Sequence, residues 1–172
     1  MGQGSKSRFP FDFSLRSGQA LTGFSPVRND KDLGQLMTRD GMNFSIDHLG
    51  IAVKSLTAAK AIYEKLGLDV SPEETVPHEQ VRLVMVPVGE SRLELLEATS
   101  EDSTIAKFIA KRGEGLHHVC MRVPDLPAAV ARLKKDGVRL VSEEIKTGAG
   151  GHQYVFVHPS SAGGVLLELV QG

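Results

Sequence analysis

The chain has 172 residues, of which 41% are hydrophobic and 24% charged, and its 20 Lys+Arg against 21 Asp+Glu give a formal net charge of −1. That balance excludes a nucleic-acid binder built on a clustered Lys/Arg excess, and no apolar run approaches the roughly 20 residues of a membrane-spanning helix. The single cysteine, Cys120, rules out an internal disulfide or a Cys-rich metal site and fits a reducing compartment.

Residues 1–43 carry Ser, Gly, Arg and Asp with no sustained period, so the segment reads as a poorly ordered N-terminal extension. Arg8, Arg16 and Arg28 among serines have the flavour of a transit peptide, whereas Asp12 and Pro10 do not fit one. Without an apolar h-region secretion is not expected. The bacterial cytoplasm is the expected compartment, or the mitochondrial matrix if the source is eukaryotic.

Patterned sequence runs from residue 44 to residue 172. Phe44–Val53 alternates as a strand, and Leu56–Gly67 has helical spacing (Leu56, Ala59, Ile62, Tyr63, Leu66) stopped by Gly67. Strands are predicted over Asp69–Val76, Gln80–Val88 and Ser91–Ala98, separated by Pro77-His78 and Gly89-Glu90. A linking helix centred on Thr104–Lys111, within about 103–113, follows. Then come a strand over Gly115–Val123, a helix over Leu126–Asp136 and strands near Val138–Ile145, Gln153–His158 and Gly164–Val170. The Gly148-Ala149-Gly150-Gly151 loop separates the first two of those strands.

The two halves repeat. Ile46-Asp47-His48-Leu49-Gly50-Ile51-Ala52-Val53 matches Leu116-His117-His118-Val119-Cys120-Met121-Arg122-Val123 at an offset of 70, which also relates Leu56 to Leu126 and Gly67 to Gly137. The offset drifts to 74 by the last strands, where Leu93-Glu94-Leu95 matches Leu167-Glu168-Leu169. Tandem βαβββ modules, about 44–98 and 115–171, cannot each close a core. The expected fold class is therefore α+β, with the sheets joined into one curved cup.

Four polar residues fall at matched positions of this repeat. His48 and His118 lie in the first strands, and Glu94 and Glu168 sit among leucines in the last strands. Burying a bare carboxylate costs several kcal/mol unless something compensates it, and a divalent cation would compensate both. Imidazole nitrogen and carboxylate oxygen suit Co, Mn, Ni, Fe or Zn. Strand parity places His117 with Val119, Met121 and Val123 on the opposite face, hence in a structural role. No GxSxG elbow, P-loop or exposed nucleophile is present.

These residues resemble the vicinal oxygen chelate superfamily, which includes glyoxalase I. The segments IDHLGIAV, LELLEATSEDSTIAKFIAKRGEGLHHV, the GAGG loop and VFVHPSSAGGVLLELV resemble the methylmalonyl-CoA epimerase family most closely, over roughly Ile46 to Gln171. The resemblance implies a homodimer, an acyl-CoA substrate and one divalent metal held by His48, Glu94, His118 and Glu168. It also implies a metal-lined cup and epimerisation at C2 of methylmalonyl-CoA through an enolate. Glu168 matches the family's ligand and base. Some family members carry a Glu at the position aligned with Arg82, so the second base is open between Glu94, Glu79 and a water. A glyoxalase I-like isomerase acting on a glutathione hemithioacetal is the alternative. A non-enzymatic small-molecule binding module of the same fold is a third reading.

Overall fold

The computed structural model describes residues 44–148 and 151–172. The expected extension over 1–43 and the middle of the GAGG loop lie outside the described residues.

Eight strands form one curved mixed sheet: β1 (Ser45–Val53), β2 (Glu74–Val76), β3 (Val81–Val88), β4 (Ser91–Ala98), β5 (Gly115–Val123), β6 (Lys146–Thr147), β7 (Gln153–Val157) and β8 (Leu167–Gln171). Three helices accompany them, α1 (Leu56–Lys65), α2 (Thr104–Arg112) and α3 (Leu126–Lys135). The strand order is β2-β3-β4-β1-β5-β8-β7-β6, which reads the same from either end when each strand is exchanged for its repeat partner. β1 and β5 meet antiparallel at the centre, and β4 and β8 flank them in parallel.

Local chemistry repeats as the sequence does. Ser55 caps α1 by accepting from Ala58 N, and Asp125 caps α3 by accepting from Ala128 N at 2.9 Å. The first N–H of each helix finds a second partner: Leu56 N donates to Glu97 Oε2 at 2.7 Å, and Leu126 N donates to Gln171 Oε1 at 2.9 Å. Leu56 and Leu126 are fully buried and anchor matching cores. In one, α1 packs on Val53, Val84, Val86 and Leu95; in the other, α3 packs on Val123, Val155, Val157 and Leu169. The opposite face near one end of the cup is closed by Ile105 of α2 against Ala52, Val81, Leu83 and Leu96.

The predicted strand Gly164–Val170 is observed as Leu167–Gln171, and two other predicted strands are mostly outside the ladders. Of Asp69–Val76 only Glu74–Val76 is ladder-paired, because the preceding segment contains Pro72, which has no N–H to donate, and its backbone is tied to β3 through Ser71, bonded to Met85. Val138–Ile145 likewise forms only an isolated bridge, Leu140 to Val157, with Val141 N donating to Phe156 O. Ser71 and Val141 are repeat partners, so both halves loosen at the same place.

Candidate metal centre

The centre of the site is the β1–β5 ladder. His48 lies across from Cys120 and Gly50 lies across from His118, two pairings exchanged by the repeat. The flanking strands set Glu94 beside Gly50 and Glu168 beside Cys120. The register therefore sends the four residues singled out from the sequence to one point. His48 Nε2 and His118 Nε2 are 3.1 Å apart. Glu168 Oε2 lies 3.4 Å from the first nitrogen and 3.1 Å from the second, and Glu94 Oε2 lies 3.5 Å from both. One donor atom each from His48, His118 and Glu168 falls within a 4.8 Å group.

Parity is broken at two places on this ladder. The pairing steps from Ile46–Met121 to His48–Cys120, leaving Asp47 as an extra residue on β1. It steps again from Gly50–His118 to Ile51–Leu116, leaving His117 as an extra residue on β5. Such bulges re-aim side chains. The expectation that His117 faces away is thereby corrected: it lines the same cavity as His118, and the two Nδ1 atoms are 2.9 Å apart. Asp47, its repeat partner, takes the equivalent place beside His48, accepting from Nδ1 at 2.9 Å.

These contacts fix the imidazoles. A carboxylate only accepts, so His48 carries its hydrogen on Nδ1 and turns Nε2 toward the cluster. Asp47 is 5% exposed and also accepts from Arg92 and Arg122. Burial pushes its carboxyl up, but hydrogen bonds from His48, Arg122 and Arg92 outweigh it and hold the group well below the usual carboxylate range. Burial alone would lower the His48 pKa; hydrogen bonds with Glu168 and Asp47 and the charge of Glu94 instead raise it to about 9. Burial and the neighbouring His118 lower His117 to about 4, so it stays neutral and can accept from His118 Nδ1–H.

Two imidazole nitrogens facing each other between two carboxylates make a donor set that a divalent cation satisfies. Its N and O composition fits Co, Mn, Ni, Fe or Zn. Burial raises the Glu94 pKa, whereas bonds from both imidazoles lower Glu168 to about 2 despite its burial. Cys120 is fully buried with its thiol pushed up by burial, which removes it as a nucleophile.

The cluster opens on a cavity of about 820 Å³ lined by Glu79, Leu83, Met85, Tyr154 and Phe156 among others, a size typical of small-molecule sites. Arg82, by contrast, leaves the cavity. It pairs with Glu97 at 2.7 Å and Glu73 at 3.6 Å on the other side of β3.

Sequence reasoning missed Gly50, Asp47, His117 and Tyr154 as parts of the site. Gly50 had a readable signal, since a glycine inside a strand often marks a close approach.

Comparison with known proteins follows the same outline. The sequence profile of the Glyoxalase/Bleomycin resistance protein/Dioxygenase superfamily matches residues 47–156. The chain is 43% identical over 128 residues to the mitochondrial methylmalonyl-CoA epimerase of Homo sapiens, covering 73% of each protein. The structure of methylmalonyl-CoA epimerase from Mycobacterium tuberculosis superposes with a TM-score of 0.69 at 40% identity, over 73% of this chain and 86% of that one. A variant of Streptomyces coelicolor methylmalonyl-CoA epimerase in complex with 2-nitronate-propionyl-CoA gives 0.70 at 38% identity, over 74% and 94%.

Proposed function

Because the chain belongs to the methylmalonyl-CoA epimerase family of the Glyoxalase/Bleomycin resistance protein/Dioxygenase superfamily, we propose that it interconverts the (2R) and (2S) epimers of methylmalonyl-CoA. The observation that carries this reading is the convergence of His48, Glu94, His118 and Glu168 on the wall of a cavity large enough for an acyl group. Those four residues would hold one divalent ion. When bound, the ion supplies positive charge where negative charge develops on the substrate oxygens.

The chain's own residues supply the rest. Asp47 and His117 fix the imidazole tautomers, and Phe156 packs edge-on against His118 with ring centroids 5.7 Å apart. Glu168 is the base on one face of C2: it takes the C2 proton while the electron pair moves to the thioester oxygen. Delivery of a proton to the other face completes inversion; besides Glu168, the cavity is lined by two further glutamates for that role, Glu94, the repeat counterpart of Glu168, and Glu79. Residues 44–172 form the catalytic unit, and the assembly carried by this reading is a homodimer. The compartment is the bacterial cytoplasm, or the mitochondrial matrix in a eukaryote. Among the described residues no helix is long and apolar enough to cross a membrane.

The test is exchange of the C2 hydrogen of methylmalonyl-CoA in D2O, with and without chelator. Exchange and epimerisation that stop on metal removal and return on metal addition support the reading. A protein that instead turns over a glutathione hemithioacetal, or neither compound, overturns it.

A further inference from the structure

The hydroxyl of Tyr154 donates to Glu79 Oε1. The bond spans the cup: Glu79 follows β2 at one edge of the sheet, and Tyr154 belongs to β7 near the other. Both residues line the cavity that contains the His/Glu cluster. Glu79 closes the 3₁₀ turn Pro77–Glu79, and the next residue, Gln80, holds a left-handed backbone with φ 57° and ψ 44°. A non-glycine residue is uncommon there, and such strain persists where surrounding bonds fix it. Here Gln80 N donates to Pro77 O at 3.1 Å and Thr99 N donates to Gln80 O at 2.9 Å.

Tyr154 ties this turn to the chemistry. Its strand neighbour two residues on, Phe156, pairs directly with Glu168 across the β7–β8 ladder. Tyr154 and Glu168 are thus diagonal neighbours, a relation that places backbones about 7–8 Å apart. Tyr154 is 7% exposed; burial and the Glu79 carboxylate push its phenol up, so it remains a donor. Glu94 is engaged at 3.5 Å by both imidazoles, whereas Glu79 is held by Tyr154 and follows β2, in the half of the sheet that does not carry Glu168.

We propose that Glu79 is the second acid/base residue of the site and that Tyr154 is its positioning residue, an assignment that rests on the epimerase reading. In one direction the C2–H bond breaks as Glu168 takes the proton and the electron pair passes to the thioester oxygen as an enolate. The pair then returns to form a new C2–H bond on the opposite face with the proton of the Glu79 carboxylic acid, leaving Glu79 ionised. The other epimer runs the same steps reversed, and proton exchange with solvent resets either carboxyl.

The experiment follows deuterium from D2O into each epimer separately, alongside metal content. Glu79→Gln should lower epimerisation at least ~10²-fold, the low end for a positioned acid/base group. Metal content and exchange into the epimer served by Glu168 should stay at wild-type levels. Tyr154→Phe should lower kcat about tenfold with KM unchanged, and slow exchange only into the epimer served by Glu79, a one-sided effect that a general packing defect would not give. Wild-type rates in Glu79→Gln, or equal loss from both epimers, would overturn the assignment. So would Glu94→Gln with full metal content reproducing the one-sided loss. If the wild-type protein itself exchanges neither epimer, the epimerase reading fails, and the role of Glu79 falls with it.

Discussion

Gly50 lies directly across the β1–β5 ladder from His118, and the His118 imidazole occupies the space where a Gly50 side chain would stand. A Cβ added at Gly50 would fall 2.6 Å from His118 Nε2 and closer still to the neighbouring ring atoms. The ring cannot yield without leaving the cluster. Gly50→Ala should therefore weaken divalent-metal binding at least ~10-fold, comparable to losing a residue that orients a ligand. Calorimetric titration beside far-UV circular dichroism checks this. A folded variant with unchanged affinity would contradict it.

The bulge residues Asp47 and His117 hold the Nδ1 atoms of His48 and His118 at 2.9 Å each. Asp47→Asn removes the charge but keeps an acceptor, and Asp47→Ala removes both. Metal affinity should fall ~10–100-fold in the alanine variant and less in the asparagine one. His117→Ala should also weaken metal binding, contrary to the structural role that strand parity assigns it. If His117→Ala binds metal as wild type does, its contact with His118 has no part in orienting the ligand.

Much of this was legible because the sequence repeats. Matched positions of His48 with His118 and Glu94 with Glu168 identified four residues that the ladder brings together, and strands Ser91–Ala98 and Gly115–Val123 have the predicted bounds. What escaped was non-periodic. A bulge inserts one residue, so parity misplaces its neighbours, and nothing in His117-His118 says which histidine precedes the shift. Tyr154 and Glu79 meet only because the sheet curves, and alternation along a strand carries no information about curvature. Arg82 illustrates the same limit: one residue of register decides whether a side chain enters the cavity or pairs with Glu97 outside it.

Glu97 joins Arg82 to the N-terminus of α1. Burial raises its carboxyl, but hydrogen bonds from Arg82 and Leu56 N outweigh this and lower the pKa. A carboxyl whose folded pKa is lowered stabilises the protein above its unfolded pKa, and that contribution is lost as pH falls through the folded value. Glu97→Gln should keep the cap, as Gln171 does in the second half, yet flatten the acid limb of stability below about pH 4.3. Glu97→Ala should cost about 1 kcal/mol at neutral pH. Arg82→Ala should leave C2 exchange unchanged. Urea unfolding across pH 3–7 separates these outcomes.

A metal that binds only the folded chain raises its stability by mass action, about 2.7 kcal/mol at a hundredfold excess over Kd. For a domain of this size each kcal/mol moves Tm by about 2–4 °C. Chelation should therefore lower the Tm of the loaded protein by roughly 5–10 °C. In His118→Ala the Tm should not respond to added metal. A chelator-insensitive Tm in wild-type protein that contains bound metal would count against the four-residue site.

Glu168 and Glu94 occupy equivalent positions in the two halves, yet their environments differ, and substitution should expose the difference. Glu168 Oε2 approaches the imidazoles to 3.1 and 3.4 Å, and the bonds hold it ionised; Glu94 stands at 3.5 Å from both and burial raises its pKa. Glu168→Gln keeps an oxygen donor toward the cluster while removing the base. Metal should still bind, more weakly, and epimerisation should fall at least ~10²-fold. Deuterium should then enter only the epimer whose C2–H faces away from residue 168, the mirror image of the Glu79→Gln pattern. Alanine at the same position would remove ligand and base together, so its inactivity would distinguish nothing. If Glu168→Gln retains wild-type epimerisation with metal bound, Glu168 is a ligand alone and the proton on that face belongs to another group.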